Sequence, residues 1–341
     1  MLDLARELLD GEAAWVVGGA VRDELLGRPV VDLDVVCRDP EPAARTYARR
    51  AGGACFRLSE RHGAWRVALP DGRTVDFTPL RDGIEDDLAT RDFTINAIAR
   101  PLAGGGLVDP FSGRVDLEAR VLRAVREGVF EDDPLRLLRA VRLEDELGLR
   151  LERRTERLVR EQCALVTRAA GERILAELRR LSVPGWRRLA ELGLLDRLDG
   201  SVERADRAVA VDSEDYRLVV FLRDAVGLLP ISNRLRRFAV ALVRSEPPPD
   251  GSPRAIHRFR RVTEPWALEA LAFQGRLDLA GAVRAARARE PAEPLVRGDE
   301  LGVPPGPEIG RLLELIEEER AAGTLTTREE ALELARRHAA R

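Results

Sequence analysis

The chain has 341 residues, 45% hydrophobic and 34% charged, enough for two or three domains with buried cores. No apolar run reaches the ~18 residues of a membrane-spanning helix. The net charge is −3 and every basic residue is arginine, which excludes a lysine-dependent phosphate loop or Schiff base and argues against loose, tail-driven nucleic-acid binding.

Residues 13–37 read as strand, turn, helix, strand. AAWVVGG is apolar and ends in paired glycines. AVRDELLG places Val21, Leu25 and Leu26 at helical spacing before Gly27, and VVDLDVV alternates acid and apolar residues. A helix is expected over 40–51. Strands follow at AWRVALP and GRTVDFTPL, joined by an Asp71-Gly72 hairpin signal. Residues 84–99 read as a loop entering a helix. From about residue 114 strand signals stop. Helical patterns fill the rest, punctuated by Pro184-Gly185, Pro230, Pro247–Pro249 and Pro304 to Pro307. The order implies a mixed α/β head followed by an all-helical remainder.

Chemistry concentrates after the double glycine. Gly18-Gly19-Ala20-Val21-Arg22-Asp23 precedes Asp32-Leu33-Asp34. Residues i and i+2 of a strand share a face, so Asp32 and Asp34 project together. Two like charges side by side call for a counter-ion, and carboxylates suit Mg²⁺. Asp76, on a later strand, can complete a three-carboxylate cluster for two-metal phosphoryl transfer. The glycines let backbone amides approach a phosphate, the following helix offers its N-terminus, and Arg22 adds a charge-assisted contact. A solvated Asp-x-Asp face is the plain alternative. A dinucleotide-binding turn is a poor one, because the spacing is not G-x-G-x-x-G.

Further along, Asp133, Arg136, Arg139 and Arg142 recur every third residue as a slowly turning stripe, beside a buriable stripe of Leu135, Leu138 and Val141. Asp133 accepts and Arg136 donates, so together they can match the polar edge of a cytosine. The ordinary reading of such a pair is an i,i+3 surface contact. Three cysteines (Cys37, Cys55 and Cys163), odd in number and without metal-ligand spacing, read as reduced thiols of a cytoplasmic protein. The N-terminus mixes acids into its apolar residues, unlike a signal peptide. His62, His257 and His338 lie far apart, which weakens histidine-based metal chemistry and Ser-His-Asp hydrolysis.

Taken together, these segments resemble the class II tRNA nucleotidyltransferases, the CCA-adding enzymes and their bacterial poly(A) polymerase relatives in the DNA polymerase beta superfamily. GGAVRDELLG with DLDVV resembles the family's first motif. EDDLATRDFTINAI (85–98), DPFSGRVDLEARVLR (109–123) and EDDPLRLLRAVRLEDELG (131–148) resemble three more, in the family's order. VRGDELGVPPGPEIGRLLELIEEERAAGTL resembles the tail of many members. The sequence departs from the family at Thr90, where an arginine is usual, at Asp132 for glutamate, and at Leu143 for phenylalanine.

The resemblance implies an α+β fold: a polymerase-beta-like head with a mixed β-sheet over 1–112, then a helical neck (113–170), body (171–246) and tail (247–341). It implies that Asp32 and Asp34 bind Mg²⁺, with Asp76 as third catalytic carboxylate. Gly18, Gly19, Arg22 and Asp23 would surround the triphosphate. Arg91, Asp92 and Asn96 would shape the nucleotide pocket. Asp133 and Arg136 would read the base, with Arg139 and Arg142 along the same groove. The implied reaction builds the 3′ CCA end of tRNA from CTP, and from ATP where the terminal adenosine is added, without a nucleic-acid template. Neither a membrane nor an obligate protein partner is implied.

Arg91 lies only 15 residues after Asp76. Complete CCA-adding and A-adding relatives usually carry a longer segment there, so the short form leans toward CC addition. A poly(A) polymerase is the weaker expectation, for want of a basic C-terminal extension, and scattered histidines exclude a His-Asp phosphohydrolase domain. The non-enzyme alternative, an RNA-binding protein of this fold, is disfavoured by the presence of all three carboxylates. Candidate tRNA contacts are Arg150, Arg153, Arg154 and Arg157, then Arg234, Arg236 and Arg237, then Arg254, Arg258, Arg260 and Arg261 with His257 and Phe259.

Overall fold

The computed structural model describes residues 1–60, 63–80, 82–291 and 293–339, and divides into two units, Met1–Leu198 and Asp199–Arg341. His62, one of the scattered histidines, lies outside the described residues.

The first unit opens with α1 (Leu2–Leu8), β1 (Ala14–Val17), α2 (Gly19–Leu25), β2 (Asp32–Cys37) and α3 (Pro40–Ala51). It continues with β3 (Ala54–Ser59), β4 (Ala64–Ala68), β5 (Thr74–Pro79), α4 (Ile84–Ala89) and β6 (Ala99–Pro101). The six strands form one mixed sheet in the order β3-β4-β5-β2-β1-β6. β2 and β5 run parallel, and the other neighbours are antiparallel. The mixed sheet is as the sequence implies.

Alternation along each strand separates two faces. On one, Val16, Leu33, Val35, Val67, Val75 and Phe77 pack with Ala5 of α1 and with Ala44, Tyr47 and Ala48 of α3. Full burial of one such aliphatic side chain contributes about 1.5–3 kcal/mol, so this face holds the sheet together. α3 forms where its pattern predicts: proline stands at its start, Ala44, Tyr47 and Ala48 are spaced for one buried side, and Gly52 closes it at φ +69°. On the other face Val17, Val36 and Ala99 are covered by Leu88 and Ala97. The acidic positions of β2 and β5 lie on this second face.

Three elements differ from the sequence reading. β3 was not anticipated, because an edge strand with mostly exposed residues shows no alternation. The helix expected to follow the loop after residue 84 occupies only Ile84–Ala89. Beyond it come a 3₁₀ turn, Thr94–Asn96, and then β6. Asp92 accepts from the Phe93 amide (2.8 Å) and Thr94 Oγ1 donates to buried Asp116 (2.7 Å), so local polar bonds displace helix. Two-residue strands β7 (Val121–Leu122) and β8 (Arg150–Leu151) pair in parallel beyond residue 114, too short to leave a pattern.

The helical part of this unit comprises α5 (Gly113–Glu118), α6 (Val129–Asp132), α7 (Arg136–Leu147), α8 (Arg153–Gln162), α9 (Gly171–Arg179) and α10 (Val183–Glu191). Leu138 and Val141 of α7 are buried, as is Leu135 just before it. α7 packs on both α9 and α10. Residues 171–198 therefore group with the first unit, which ends at Leu198.

The second unit is helical throughout its regular elements: α11 (Glu214–Leu222), α12 (Asn233–Val243), α13 (Pro253–Thr263), α14 (Ala267–Gln274), α15 (Ala280–Ala288), α16 (Pro307–Ala321) and α17 (Arg328–Ala339). Arg254, Arg258 and Arg261 of α13 pair with Glu319, Glu318 and Glu314 of α16, and Arg260 pairs with Glu264 and Glu290. Phe259 is buried. The arginine cluster considered for RNA contact is thus engaged within the protein.

Gly113 illustrates how closely the head is packed. A Cβ there would stand 2.1 Å from the Thr94 carbonyl oxygen and 2.7 Å from its carbon. Gly113→Ala must push backbone from backbone, and we expect a loss of about 2 kcal/mol or more, read as a lowered urea midpoint. An unchanged midpoint would contradict this packing.

Candidate active site

β1 is followed by Gly18, whose φ of +70° turns the chain sharply into α2. A Cβ at Gly18 would lie 2.7 Å from Arg91 Nη1 and 3.4 Å from Asp34 Oδ2. The absence of a side chain is therefore what lets the Arg91 guanidinium and the Asp34 carboxylate approach one another over the turn. Arg91 is steadied from behind by Asp87, which accepts from its Nε (3.1 Å) and Nη2 (2.9 Å).

Asp32 is exposed and accepts from Thr74 Oγ1 at 2.7 Å. Asp34 is half-buried and stands beside Asp76 in the parallel register of β2 and β5. Burial, then the neighbouring carboxylates Asp76 and Asp32, push the Asp34 pKa up against the opposing pull of Arg91 and Arg139. A carboxylate penalised in this way is one that a cation relieves. Asp76 is different. Arg66 of β4 donates to both its oxygens, Nε to Oδ1 at 2.8 Å and Nη2 to Oδ2 at 2.7 Å. The donor set thus fits a hard divalent ion held by two carboxylates, with the third already neutralised. Among the described residues no group of three or more His, Cys, Asp or Glu forms a ready-made metal cage.

Behind the turn runs a chain of buried polar contacts. Arg22, only 9% exposed, donates to Asn96 Oδ1 (2.7 Å) and to Asp23 (2.9 Å). Asn96 donates to Asp92 Oδ1 (2.9 Å), and Arg139 Nε donates to Asp92 Oδ2 (2.9 Å). Arg142 bonds Glu177 and Glu146. Burial alone would raise the Asp92 pKa, but the Arg139 charge and the bonds from Asn96, Arg139 and the Phe93 amide outweigh it and hold the group ionised. Arg139 and Arg142 therefore meet carboxylates of the protein, and Arg22 is turned inward.

Among the described residues no side-chain hydrogen bond joins Asp133 to Arg136, although the Arg136 amide donates to the Asp133 carbonyl oxygen at 3.0 Å. Asp133 sits in extended backbone before α7 and accepts from Arg173 of α9, Nη1 at 3.2 Å and Nη2 at 2.8 Å. Arg136 donates to the carbonyl oxygens of Thr90 (2.8 Å) and Val129 (3.3 Å). Each candidate base-reading group is thus held by its own partner.

Three residues of this constellation escaped the sequence reading: Arg66, Arg173 and Glu177. Arg66 left a trace, since it and Asp76 stand five residues either side of Asp71 in a two-strand hairpin, and so face one another. Arg173 and Glu177 left none, because 40 residues separate Arg173 from Asp133.

The family model for the poly A polymerase head domain matches residues 14–83 and 71–123. The chain is 45% identical over 174 residues to the CC-adding tRNA nucleotidyltransferase of Geobacter sulfurreducens, covering 50% of this chain and 40% of that one. It is 44% identical over 193 residues to the A-adding tRNA nucleotidyltransferase of Deinococcus radiodurans, covering 54% and 44%. The chain thus matches less than half the length of these curated relatives. The fold as a whole resembles the Thermotoga maritima CCA-adding enzyme complexed with tRNA, at TM-score 0.75 and 25% identity over 98% of this chain and 94% of that one. Four sequence motifs in order, one sheet that brings the first of them together, and matches to head and whole fold agree: residues 14–123 match a poly A polymerase head domain, in a chain similar to the class II tRNA nucleotidyltransferases.

Proposed function

We propose that the protein is a tRNA nucleotidyltransferase that transfers CMP from CTP to the 3′ end of tRNA, as a CC-adding enzyme. The observation that carries the reaction class is the Asp32–Asp34 pair beside the Gly18 turn, with Asp34 destabilised by burial and by like charge. The relatives are named for tRNA nucleotidyl transfer, which supports the substrate. The short connection supports CC addition, since β5 ends at Pro79 and α4 already begins at Ile84.

Asp32 and Asp34 are the residues that would hold the divalent cation, which we assign as Mg²⁺; bound there, it would neutralise triphosphate charge and acidify the attacking hydroxyl. The side chains do the rest. Arg91, fixed by Asp87 and facing the Gly18 turn, offers positive charge to the triphosphate. Gly19 lets its backbone approach a phosphate. Arg22, Asp23, Asp92 and Asn96 act behind it, holding the turn and the 91–98 segment rigid. Asp133 accepts from the cytosine amino group and Arg136 donates to its ring nitrogen and carbonyl, so the base is read by protein. Arg139 and Arg142 keep α7 in register through Asp92 and Glu177. In the reaction the RNA 3′ oxygen forms a bond to the α-phosphorus while the bond to pyrophosphate breaks.

The decisive assay extends a tRNA lacking its CCA end, with Mg²⁺ and CTP, ATP or both, read at single-nucleotide resolution. Two added residues with both nucleotides present are expected. Three would mean a complete CCA enzyme, and none would favour an RNA-binding protein of the same fold.

Asp34→Asn separates function from stability. Addition should fall by about a hundredfold or more. Because the folded-state pKa of Asp34 is raised, its ionised form costs stability at neutral pH, and that cost vanishes as pH falls below the ordinary carboxylate range. The variant should therefore melt about 2 °C higher at pH 7, with the gain disappearing toward acid pH. A lower Tm at pH 7 would refute this account of Asp34.

Asp133→Ala should erode the preference for CTP over ATP by about tenfold, in line with ~1–3 kcal/mol for a hydrogen-bonded base contact. Unchanged selectivity in competition assays would remove Asp133 from base reading.

A further inference from the structure

The open sheet face continues past the carboxylates. Cross-strand partners place Asp34, Asp76, Arg66 and Phe56 in one row across β2, β5, β4 and β3. Directly paired residues share a face, so all four side chains lie on the open side. Phe56 ends the row on the edge strand, 46% exposed. Arg66 spends Nε and Nη2 on Asp76, while its Nη1 makes no hydrogen bond among the described residues. A cation and an exposed ring thus extend outward from the metal-binding pair.

The direction of this row is informative. The Gly18 turn and Arg91, which face the triphosphate in the proposed reaction, lie on the β1 side of β2. In-line displacement sets the attacking oxygen opposite the leaving pyrophosphate. The RNA end must then approach from the β5 side, across β5, β4 and β3. Three strand spacings separate Asp34 from Phe56, about 14 Å. That is the span of the last few nucleotides of a stacked single strand at about 3.4 Å each.

We propose that the β4–β3 half of the open face receives the single-stranded 3′ end of the RNA, with a base near the terminus stacked on Phe56 and a backbone phosphate facing Arg66. The inference rests on the nucleotidyl-transfer reading for its direction of approach. Aromatic stacking accepts any base, which suits an end whose sequence changes with each addition. The asymmetry also explains the edge strand: β3 contributes little to the core, yet it carries an exposed aromatic ring on this face.

The test measures equilibrium binding of the full chain, by fluorescence anisotropy, to a tRNA with unpaired 3′ nucleotides and to the same tRNA trimmed to a blunt acceptor stem. CTP affinity is measured in parallel. The unpaired nucleotides should tighten binding to the unsubstituted protein by about fivefold or more. Phe56→Ala should erase that advantage, Phe56→Trp should keep it, and CTP affinity should stay within about twofold in both. An equal advantage in Phe56→Ala, an effect on CTP instead of RNA, or no advantage in the unsubstituted protein would each overturn the proposal. A protein that shows the Phe56-dependent advantage yet adds no nucleotide would refute the enzymatic reading and leave this surface assigned.

Discussion

One buried carboxylate, Asp92, joins the parts of the first unit that make up the candidate site. It receives the Phe93 amide, the Asn96 side chain and Arg139 of α7. Through Asn96 it reaches Arg22 and the glycine turn, and through Arg139 it reaches the neck. Removing one partner of such a buried pair costs about 3–5 kcal/mol, because the other is left charged and unsolvated. The turn, the 91–98 segment and α7 are therefore tied together by one set of buried polar contacts. A site built from head and neck side chains needs such ties, because positioning errors of an ångström are costly in catalysis.

The sheet performs a second division. One face is closed by α1 and α3 over an aliphatic core, and the other is closed only over β1, β6 and the end of β2. Where the cover stops, the outward positions become Asp32, Asp34, Asp76, Arg66 and Phe56. The same alternation that buries Val35 and Val75 exposes the acids between them. The same strands thus present core residues on one face and ionisable ones on the other, where burial and neighbouring carboxylates push the Asp34 pKa up.

The arginines show how little composition says about partners. With acids nearly matching them in number, many are consumed internally. Those of α13 pair with α16, and Arg139, Arg142 and Arg188 pair with glutamates and aspartates in the first unit. A dense arginine run in the sequence marked an ion-paired helix face in α13. By contrast Arg66, which stands alone in its strand, occupies the row beside the carboxylates.

Much of the site was legible in the sequence because it is local. The double glycine, the i,i+2 acids, the hairpin at Asp71 and the apolar stripe of α7 each follow from backbone periodicity over a few residues. Edge strand β3 and the kinked 90–98 segment were not legible, since side-chain bonds and sheet position outweighed their intrinsic pattern. Tertiary structure alone decided which charges are free. Whether Asp76 is open or held by Arg66, whether Asp133 meets Arg136 or Arg173, and whether Arg22 faces outward or Asn96 depends on partners brought together by the sheet and by helix packing. Periodicity sets which way a side chain points from its own element; only the packed fold sets what waits there.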